Sequence, residues 1–397
     1  MARANRWLVG GLMLALIPLS ACSKTPVLGI LLPISGDAAT YGKSMADAIH
    51  LALDEAKANG SLPQGFQAVW ADSGSEPDQA IAEFKQLVDQ SGAEVVIGGC
   101  KSDVASALIP TIKAENTICI SPSASAPSLI KKSKLLFRMF PSDDLEGTRA
   151  GDFLYKEQGR RKVLIFSSGN EHARGVEPEF RHEFEQNLGG KIVGRILLTD
   201  QDWKRQATDA LTSQQPDAAY IIAYAQPTVD VLKFLQEKHF TGTRCVTSAF
   251  YNRSVLDANR ALVDGVYFPL PSFDADSKVK IVKDFVDAYR ERYGVVPDIF
   301  AAHAFDAARV AVFILKKTKY LQADELKKTI QFDLTDFEGV TGAIRFDDYG
   351  GVRHNPIMYI VKDGKVQNFK DYRDRQLAKI REELRQELGV ATPTPRR

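Results

Sequence analysis

The chain has 397 residues, of which 44% are hydrophobic and 25% charged, enough apolar material for a buried core and a length that suggests two to three domains. Its 51 Lys and Arg against 50 Asp and Glu give a net charge of +1, so no strongly basic field favours nucleic acid and no acidic tract predicts a solvated tail. Four cysteines are too few for a disulfide-built fold and lie too far apart for a CxxC metal site.

Residues 1–21 have the pattern of a secretory signal. Two arginines precede an apolar run from Trp7 to Leu19, which is too short for a membrane span of roughly 20 residues. The run ends in Leu19-Ser20-Ala21-Cys22, which resembles the bacterial lipobox. That resemblance implies cleavage before Cys22 and its lipidation, with residues 22–26 as a tether. Ordinary signal cleavage beside a chance cysteine is the alternative.

Buried strands and amphipathic helices alternate through the first part of the chain. Val27 to Pro33 is a continuous apolar run, typical of a strand buried on both faces. Apolar residues from Met45 to Ala56 then recur at helical spacing. Further strand-like runs, separated by helical patterns, follow at 68–71, 95–98 and 117–120. This alternation predicts a parallel sheet with helices on both faces.

The same alternation begins again near residue 162. Strand-like runs separated by helical patterns lie at 162–166, 192–198, 218–223 and 244–247. The sequence therefore predicts an α/β protein with two doubly wound lobes. Later segments add predicted helices at 281–289 and 304–315 and predicted strands at 266–268, 343–346, 357–361 and 366–369.

A charged helix with an apolar stripe is predicted from Tyr372 to Leu388. Such a stripe is expected to dock on its own domain, and a coiled coil with a partner is the alternative.

The motifs of several enzyme classes are missing from the sequence. There is no G-x-G-x-x-G after the first strand, no G-x-x-x-x-G-K-[ST], no G-x-S-x-G and no H-E-x-x-H. Adjacent acids such as Asp143-Asp144 diverge in regular structure and are expected to cap turns or helices. We therefore expect no catalytic residues, no metal and no cofactor.

Two predicted strand-to-helix junctions are rich in hydroxyl groups. Gly99 to Asp103 follows one strand, and Ser121 to Pro127 follows the next. Open α/β sheets bind ligands beyond the carboxyl ends of their strands, where helix N-termini offer free amides. Ser102 and Ser125 are therefore candidates to bind a carboxylate. The alternative is that these serines only cap helices, with Ser102 as an N-cap.

Several segments together resemble the type I periplasmic binding proteins of ABC transporters, in particular the leucine/isoleucine/valine-binding class. Val96 to Pro127 resembles the ligand-binding core of that family, and Gly29 to Gly36, followed by Tyr41-Gly42, resembles its first strand and loop. The resemblance extends from Val27 to about Phe369 and does not cover the charged helix.

The resemblance implies two lobes that close over a ligand in the cleft between them. Three hinge crossings would fall near 141–143, 249–252 and 335–337. The first lobe would comprise 27–141 plus 253–334 and the second 142–252 plus 335–371, with 372–397 as a charged helix and tail.

Ligand contacts are also implied at matching positions. Ser102 and Ser125 match hydroxyls that bind the ligand carboxylate, and Ser123 matches a residue whose carbonyl binds the ligand ammonium. Three other candidate contacts, Tyr41, Cys100 and Phe300, match positions around the ligand side chain. Three more lie on the second lobe: Tyr224, Ala249, and His172 where a tyrosine is common.

One position departs from the family pattern. Amino-acid-binding members carry an acid after the strand at 244–247, whereas this chain has Ser248-Ala249-Phe250 and no acid before Asp257. Burying an ammonium without a carboxylate partner is costly. The sequence therefore predicts a small carboxylate-bearing ligand, either an amino acid held differently or an organic acid without an amine. A protonated His172 would donate to it, so that affinity would fall as pH rises between about 5 and 8. The alternative is that His172 lies at the rim without contacting the ligand.

The remaining cysteines leave two alternatives. Cys100 and Cys119 both lie near strand ends, so they would be able to form a disulfide in an oxidising compartment. Free buried thiols are the favoured alternative, because the family's disulfide partner for Cys100 is replaced by Ser73-Gly74-Ser75.

Together these features predict a lipid-anchored periplasmic solute-binding protein that presents a small-molecule ligand to an ABC permease, without a nucleic-acid partner. The alternatives are the ligand-sensing subunit of a receptor on the same fold and, disfavoured by the missing motifs, an enzyme.

Overall fold

The computed structural model describes residues 25–388, except 272, 336 and 353. The predicted signal at 1–21, Cys22 and the tail from 389 lie outside the described residues, as does the predicted tether apart from its last two positions. Within the described part of the chain, no helix combines the length and the apolar character needed to cross a bilayer.

The strands and helices follow one another in the alternating order that the sequence predicts. The strands are β1 (Val27–Leu32), β2 (Gln67–Asp72), β3 (Val95–Gly98), β4 (Ile118–Ser121), β5 (Leu136–Arg138), β6 (Lys162–Ser167), β7 (Lys191–Leu197), β8 (Ala218–Ile222), β9 (Thr243–Val246), β10 (Val266–Leu270), β11 (Phe337–Gly339), β12 (Gly342–Ile344), β13 (Ile357–Lys362) and β14 (Lys365–Asn368). The helices are α1 (Ala39–Ala58), α2 (Pro77–Asp89), α3 (Ser102–Ala114), α4 (Asp143–Asp152), α5 (Glu171–Arg181), α6 (Trp203–Gln214), α7 (Ala225–Glu237), α8 (Arg253–Ala258), α9 (Arg260–Val263), α10 (Lys280–Tyr293), α11 (Ile299–Lys317), α12 (Ala323–Phe332) and α13 (Phe369–Glu387).

The first sheet has five parallel strands in the order β2-β1-β3-β4-β5. Every residue of β1 is buried, because helices cover both faces of the sheet. Leu28 and Ile30 belong to the apolar cluster that contains α1 and α11, while Val27 and Leu31 belong to that of α2 and α3. This alternation explains why β1 is apolar throughout instead of at every second residue.

The second sheet has seven strands in the order β14-β13-β10-β9-β8-β6-β7. The strands from β6 to β10 pair in parallel, and β13 and β14 complete the sheet with antiparallel pairings. Apolar clusters cover both of its faces. The predicted α/β fold, with parallel sheets between layers of helices, is confirmed.

One strand lies in a different lobe from the one predicted. The sequence analysis places 253–334 in the first lobe, but β10 pairs in parallel with β9 and antiparallel with β13, both in the second sheet. The chain therefore returns to the first lobe after Leu270 and before α10, not near 249–252. The reason is that an apolar run in the sequence predicts a buried strand but does not indicate which of the two sheets the strand joins.

The last crossing also lies further along the chain than predicted. The hairpin of β11 and β12 is held to α11 by Asp306, and the carbonyl of Gly350 accepts a hydrogen bond from the amide of Arg138 in β5. Both contacts belong to the first lobe, so the chain crosses to the second sheet between Gly351 and β13 and not at 335–337. The first crossing lies between β5 and α4.

The C-terminal helix α13 contacts the second lobe mainly at its start. Phe369 is buried, and its ring centroid lies 5.1 Å from that of Phe153 and 5.4 Å from that of Tyr267. The apolar stripe further along is exposed, so the expectation that it docks on its own domain is wrong. Its residues are Leu377, Ile380, Leu384 and Leu388.

A buried carboxylate fixes the hairpin of β11 and β12. Asp306 is fully buried, and its oxygens accept hydrogen bonds from the amides of Val340 (3.0 Å) and Thr341 (2.9 Å) and from the Thr341 hydroxyl (2.8 Å). Gly339 allows this approach, since a Cβ there would lie 2.4 Å from Asp306 Oδ2.

Asp306→Ala is expected to lower the free energy of unfolding by about 3 kcal/mol, because it leaves buried donors without acceptors. Urea unfolding followed by circular dichroism measures the change. Asp333→Ala, at an exposed position of the same lobe, is the control, with an expected change of less than about 0.5 kcal/mol. Equal effects of the two substitutions would contradict the conclusion that the Asp306 carboxylate fixes the hairpin.

Candidate ligand site between the lobes

A cavity lies between the two lobes, at the carboxyl ends of the parallel strands. Its empty space, including the open mouth, is about 460 Å³. The structure brings all nine residues predicted as ligand contacts to its wall: Tyr41, Cys100, Ser102, Ser123, Ser125, His172, Tyr224, Ala249 and Phe300. Six lining residues were not predicted: Pro33, Ala38, Met45, Lys101, Phe140 and Ser248.

Ser102 joins the two hydroxyl-rich junctions. It is the first residue of α3, and its hydroxyl oxygen accepts hydrogen bonds from the amides of Ser125 (3.3 Å) and Ala126 (3.2 Å). Its side chain does not cap α3, so the alternative that Ser102 is an N-cap is wrong. With both lone pairs occupied, the hydroxyl retains its proton for a ligand acceptor.

Two more serines hold the junctions side by side. Ser123 Oγ donates to the carbonyl of Cys100 and Ser121 Oγ to that of Gly99, each over 2.7 Å. Ser125 is different, because its hydroxyl has no hydrogen-bond partner among the residues that the structure describes. These contacts fix the loops and leave the hydroxyls of Ser102 and Ser125 as the free donors on this wall.

Aromatic rings form the apolar wall of the cavity. The ring of Phe300 meets that of Tyr41 edge-on, with centroids 5.0 Å apart, and stacks on Phe140 at 5.8 Å. Tyr224 extends the wall from the second lobe, with its centroid 6.4 Å from that of Tyr41. An apolar ligand side chain would therefore find a preformed surface.

The hydroxyl of Tyr41 connects the lobes across the cavity. It donates to the carbonyl of Ala249 over 2.7 Å and accepts from the amide of Ala225 over 3.2 Å. Tyr41 lies on α1 in the first lobe, whereas Ala225 begins α7 and Ala249 follows β9 in the second. Burial raises the pKa of Tyr41, which keeps the hydroxyl protonated as a donor.

Lys101 contributes a cation at the wall. Its ammonium lies 3.1 Å from Asp37 and 3.7 Å from Asp103, both in the first lobe. It also lies 5.8 Å from the ring centroid of Tyr224 in the second lobe. Only a tenth of its side chain is exposed, so this charge acts close to the cavity.

On the second lobe, two cavity residues each contact a buried acid of α4. His172 Nδ1 donates to Asp143 Oδ2 over 3.0 Å. Glu146 accepts from both the amide and the hydroxyl of Ser248, each over 2.6 Å. Neither acid lines the cavity. We call Asp143, Glu146 and His172 the acid–imidazole cluster.

Burial and mutual charge set the ionisation of this cluster. Burial alone would lower the pKa of His172, but the charge and hydrogen bond of Asp143 outweigh it and raise the pKa to about 9. Burial raises the pKa of Glu146 to about 7, against the opposing charge of His172. His172 is therefore an imidazolium at neutral pH, and the predicted window for its titration, pH 5 to 8, is too low.

The cluster also has the donor atoms of a metal site, since its members present ligand atoms within 4.8 Å of one another. His172 Nδ1 is already bonded to Asp143, and both oxygens of Glu146 accept from Ser248. These contacts compensate the charges within the protein, so we interpret the cluster as an ion pair with a neighbouring carboxyl group.

The sequence analysis missed the role of α4. It expected Asp143 to cap a turn or helix and found no acid near Ser248 before Asp257. The structure shows that Glu146 reaches Ser248 from another part of the chain. The available signal was the spacing of Asp143 and Glu146, which places both carboxylates on one face of a helix.

The three cysteines in the described part of the chain are free thiols. Cys119 and Cys245 are buried and Cys100 lines the cavity, so the alternative of a disulfide between Cys100 and Cys119 is wrong. Burial raises the pKa of Cys100 to about 12, which keeps it a neutral thiol.

Comparisons with known proteins agree with the geometry. Residues 25–365 match the family described as periplasmic binding protein. A relative from Pseudomonas aeruginosa, the leucine-, isoleucine-, valine-, threonine- and alanine-binding protein, is 24% identical over 81% of this chain and 86% of its own length.

Solved structures show the same fold. A branched-chain amino acid transporter substrate-binding protein from Streptococcus pneumoniae, in complex with isoleucine, has a TM-score of 0.79 and 26% identity, covering 87% of this chain and 98% of its own. A solute-binding protein of an ABC transporter from Rhodopseudomonas palustris, in complex with benzoate, has a TM-score of 0.75 and 21% identity, covering 86% and 94%.

These relatives are binding proteins of ABC transporters and not enzymes, and their family implies a location outside the cytoplasm. With its family match over most of the chain and a cavity between two parallel-sheet lobes, this chain belongs to the periplasmic binding protein family, as the resemblance predicts.

Proposed function

We propose that this protein captures a small carboxylate-bearing ligand between its lobes and delivers it to an ABC permease. The observation that carries the proposal is the charge of the cavity wall. Its two charged lining residues, Lys101 and His172, are cations, and the described lining contains no Asp or Glu. Such a wall favours an anion, because burying a charge requires an opposite charge or hydrogen-bond donors.

The carboxylate would bind to the first lobe. The free hydroxyl protons of Ser102 and Ser125 lie there, beside the start of α3, whose amides and dipole favour negative charge. Charge-assisted hydrogen bonds to a carboxylate are about twice as strong as neutral ones. The aromatic wall of Tyr41, Phe140 and Phe300 would accommodate the apolar part of the ligand.

The comparisons include proteins that bind carboxylates with an amine and one that binds a carboxylate without an amine. The relative from P. aeruginosa is named for amino acids, and the structure from S. pneumoniae holds isoleucine. The structure from R. palustris holds benzoate, a carboxylate without an amine. The fold is therefore compatible with both kinds of ligand that the sequence analysis leaves open.

Delivery would follow from closure of the lobes. A ligand that contacts both lobes stabilises the closed arrangement, in which Tyr41 bonds to the backbone of the second lobe. The closed form then presents one continuous surface to a permease. Closure of this kind is a hinge motion in the segments that join the lobes.

Lipid attachment at Cys22 would keep the protein beside its permease. This part of the proposal is supported by the arginines, the short apolar run and Leu19-Ser20-Ala21-Cys22.

Ser125→Ala is expected to weaken carboxylate binding by about ten- to hundredfold, because it removes one charge-assisted hydrogen bond of about 1.5–3 kcal/mol. Folding should be unaffected, since the Ser125 hydroxyl bonds to no described residue. Calorimetry with L-leucine, α-ketoisocaproate and isocaproate, and with isocaproamide as the uncharged counterpart, measures the effect.

Ser106→Ala, on α3 in the same lobe but outside the cavity lining, is the control and should bind like the wild type. If isocaproamide bound as tightly as the acids, the proposed ligand class would be wrong.

Tyr41→Phe is expected to lower the affinity for the best-bound of these acids by about tenfold, because it leaves the buried carbonyl of Ala249 and amide of Ala225 unpaired in the closed form. The same calorimetry measures it. Tyr289→Phe is the control, as its hydroxyl lies 3.4 Å from a carbonyl within the first lobe. An unchanged affinity of Tyr41→Phe would show that this contact does not stabilise closure.

Cys22→Ala is expected to abolish membrane attachment. Detergent phase partitioning of cell extracts should place the wild type in the detergent phase and Cys22→Ala in the aqueous phase. Cys245→Ala, which removes a buried thiol, should partition like the wild type. Membrane retention of Cys22→Ala would contradict the lipid anchor.

A further inference from the structure

The proposed function uses only the charge of His172 and assigns no hydrogen bond between the acid–imidazole cluster and the ligand. The cluster lies on the wall opposite the proposed carboxylate site, where His172 is 3% exposed and lines the cavity. Asp143 and Glu146 are also buried and stand behind His172 and Ser248. The cluster therefore places one charged group, the imidazole, in contact with whatever fills the cavity.

One nitrogen of His172 is engaged and the other is not. Nδ1 donates to Asp143 Oδ2 over 3.0 Å. Nε2 is buried and has no hydrogen-bond partner among the described residues. Because the bond to Asp143 occupies Nδ1, Nε2 is the ring nitrogen that remains for a ligand. A buried donor without an acceptor destabilises the site, and a ligand oxygen that accepts from Nε2 would remove this cost.

The charges around the ring favour the imidazolium. Two buried carboxyl groups adjoin it, and one of them bonds to it directly. These contacts raise the pKa of His172 to about 9. Nε2 therefore carries a proton at neutral pH and donates, which a ligand ammonium cannot accept.

His172 also lies close to the proposed carboxylate site. The amide of Asp143, its hydrogen-bond partner, donates to the carbonyl of Ser125 over 3.0 Å. Asp143 therefore contacts both Ser125 and His172, which allows a ligand whose carboxylate bonds to Ser125 to reach His172 with the neighbouring carbon.

Building on the proposed function, we propose that the ligand is a 2-oxo or 2-hydroxy carboxylate, whose oxygen on the carbon next to the carboxylate accepts a hydrogen bond from His172 Nε2. An amino acid would direct its ammonium at this donor. The second lobe thus selects against amines, while the first lobe binds the carboxylate that both classes share.

The proposal has a defined pH dependence. Three titratable groups interact with His172 directly: Asp143 and Glu146 on α4 and Tyr224 after β8. Four further groups interact with these three, namely Lys101 and Asp103 at the start of α3, Arg138 on β5 and Tyr220 on β8. Glu171 precedes His172 on α5. Since His172 must be protonated to donate, affinity for an oxo acid should fall as pH rises through about 9.

Four acids with the same carbon skeleton test the proposal: α-ketoisocaproate, α-hydroxyisocaproate, isocaproate and L-leucine. Calorimetry at pH 7 should show the oxo and hydroxy acids binding at least about tenfold more tightly than isocaproate and L-leucine, as a charged hydrogen bond of about 1.5 kcal/mol requires. Tighter binding of L-leucine than of α-ketoisocaproate, or equal binding of α-ketoisocaproate and isocaproate, overturns it.

A variant locates the effect. His172→Phe keeps the ring shape but would leave Asp143 as an unpaired buried charge, so it is combined with Asp143→Asn. In this double variant the advantage of α-ketoisocaproate over isocaproate should vanish, because the lost positive charge weakens both acids alike and only the lost hydrogen bond distinguishes them. His182→Phe, on an exposed histidine beyond α5, is the control. An advantage that persists in the double variant overturns the role of His172.

Isocaproamide separates this inference from the proposed function. If L-leucine is preferred but isocaproamide does not bind, only the inference fails. If isocaproamide binds as well as the acids, or if none of the acids binds, the proposed function fails and the inference with it.

Discussion

The oxygen of Tyr41 is bonded on both sides by backbone groups of the opposite lobe, and the closed cavity depends on this contact. Its hydroxyl donates to the carbonyl of Ala249 and accepts from the amide of Ala225. Both partners follow the carboxyl ends of strands in the second sheet, just as Tyr41 follows β1 in the first. Because parallel strands end at a common edge, loops distant in sequence meet here without further adjustment of the fold.

Charge is layered around the cavity. The described cations Lys101 and His172 form part of the wall, while the acids that pair with them, among them Asp37, Asp103 and Asp143, stand behind or beside it. The protein thus compensates its own buried charges while the surface that meets the ligand stays electropositive. Glu146, the acid near Ser248, is not available to a ligand, because both of its oxygens accept hydrogen bonds from the Ser248 amide and hydroxyl.

Much of the site could be predicted from the sequence because its residues follow apolar runs that are recognisable as buried strands. Ser102 and Ser125 are examples, since each follows a strand whose carboxyl end must lie at the ligand edge. Contacts made by residues far apart in sequence could not be predicted in this way. The pairing of β10 with β13 and the bond from Glu146 to Ser248 depend on the tertiary arrangement, which periodicity does not report. Ser102 illustrates the same limit within one site, as its hydroxyl contacts a neighbouring loop instead of its own helix.

The division of the site between two lobes links recognition to motion. The hydroxyl donors that we propose for a carboxylate lie on the first lobe, and the nitrogen of His172 without a described partner lies on the second. In an open form, a ligand would contact only one of these two sets. It would therefore bind the closed form more tightly than the open form, and the difference would be the free energy of its contacts with the other lobe. This difference in binding free energy sets how far a ligand shifts the equilibrium between the open and the closed form. A compound that satisfies the first lobe alone would therefore bind without closing the protein, and it would compete with the true ligand for the site without forming the surface that a permease recognises.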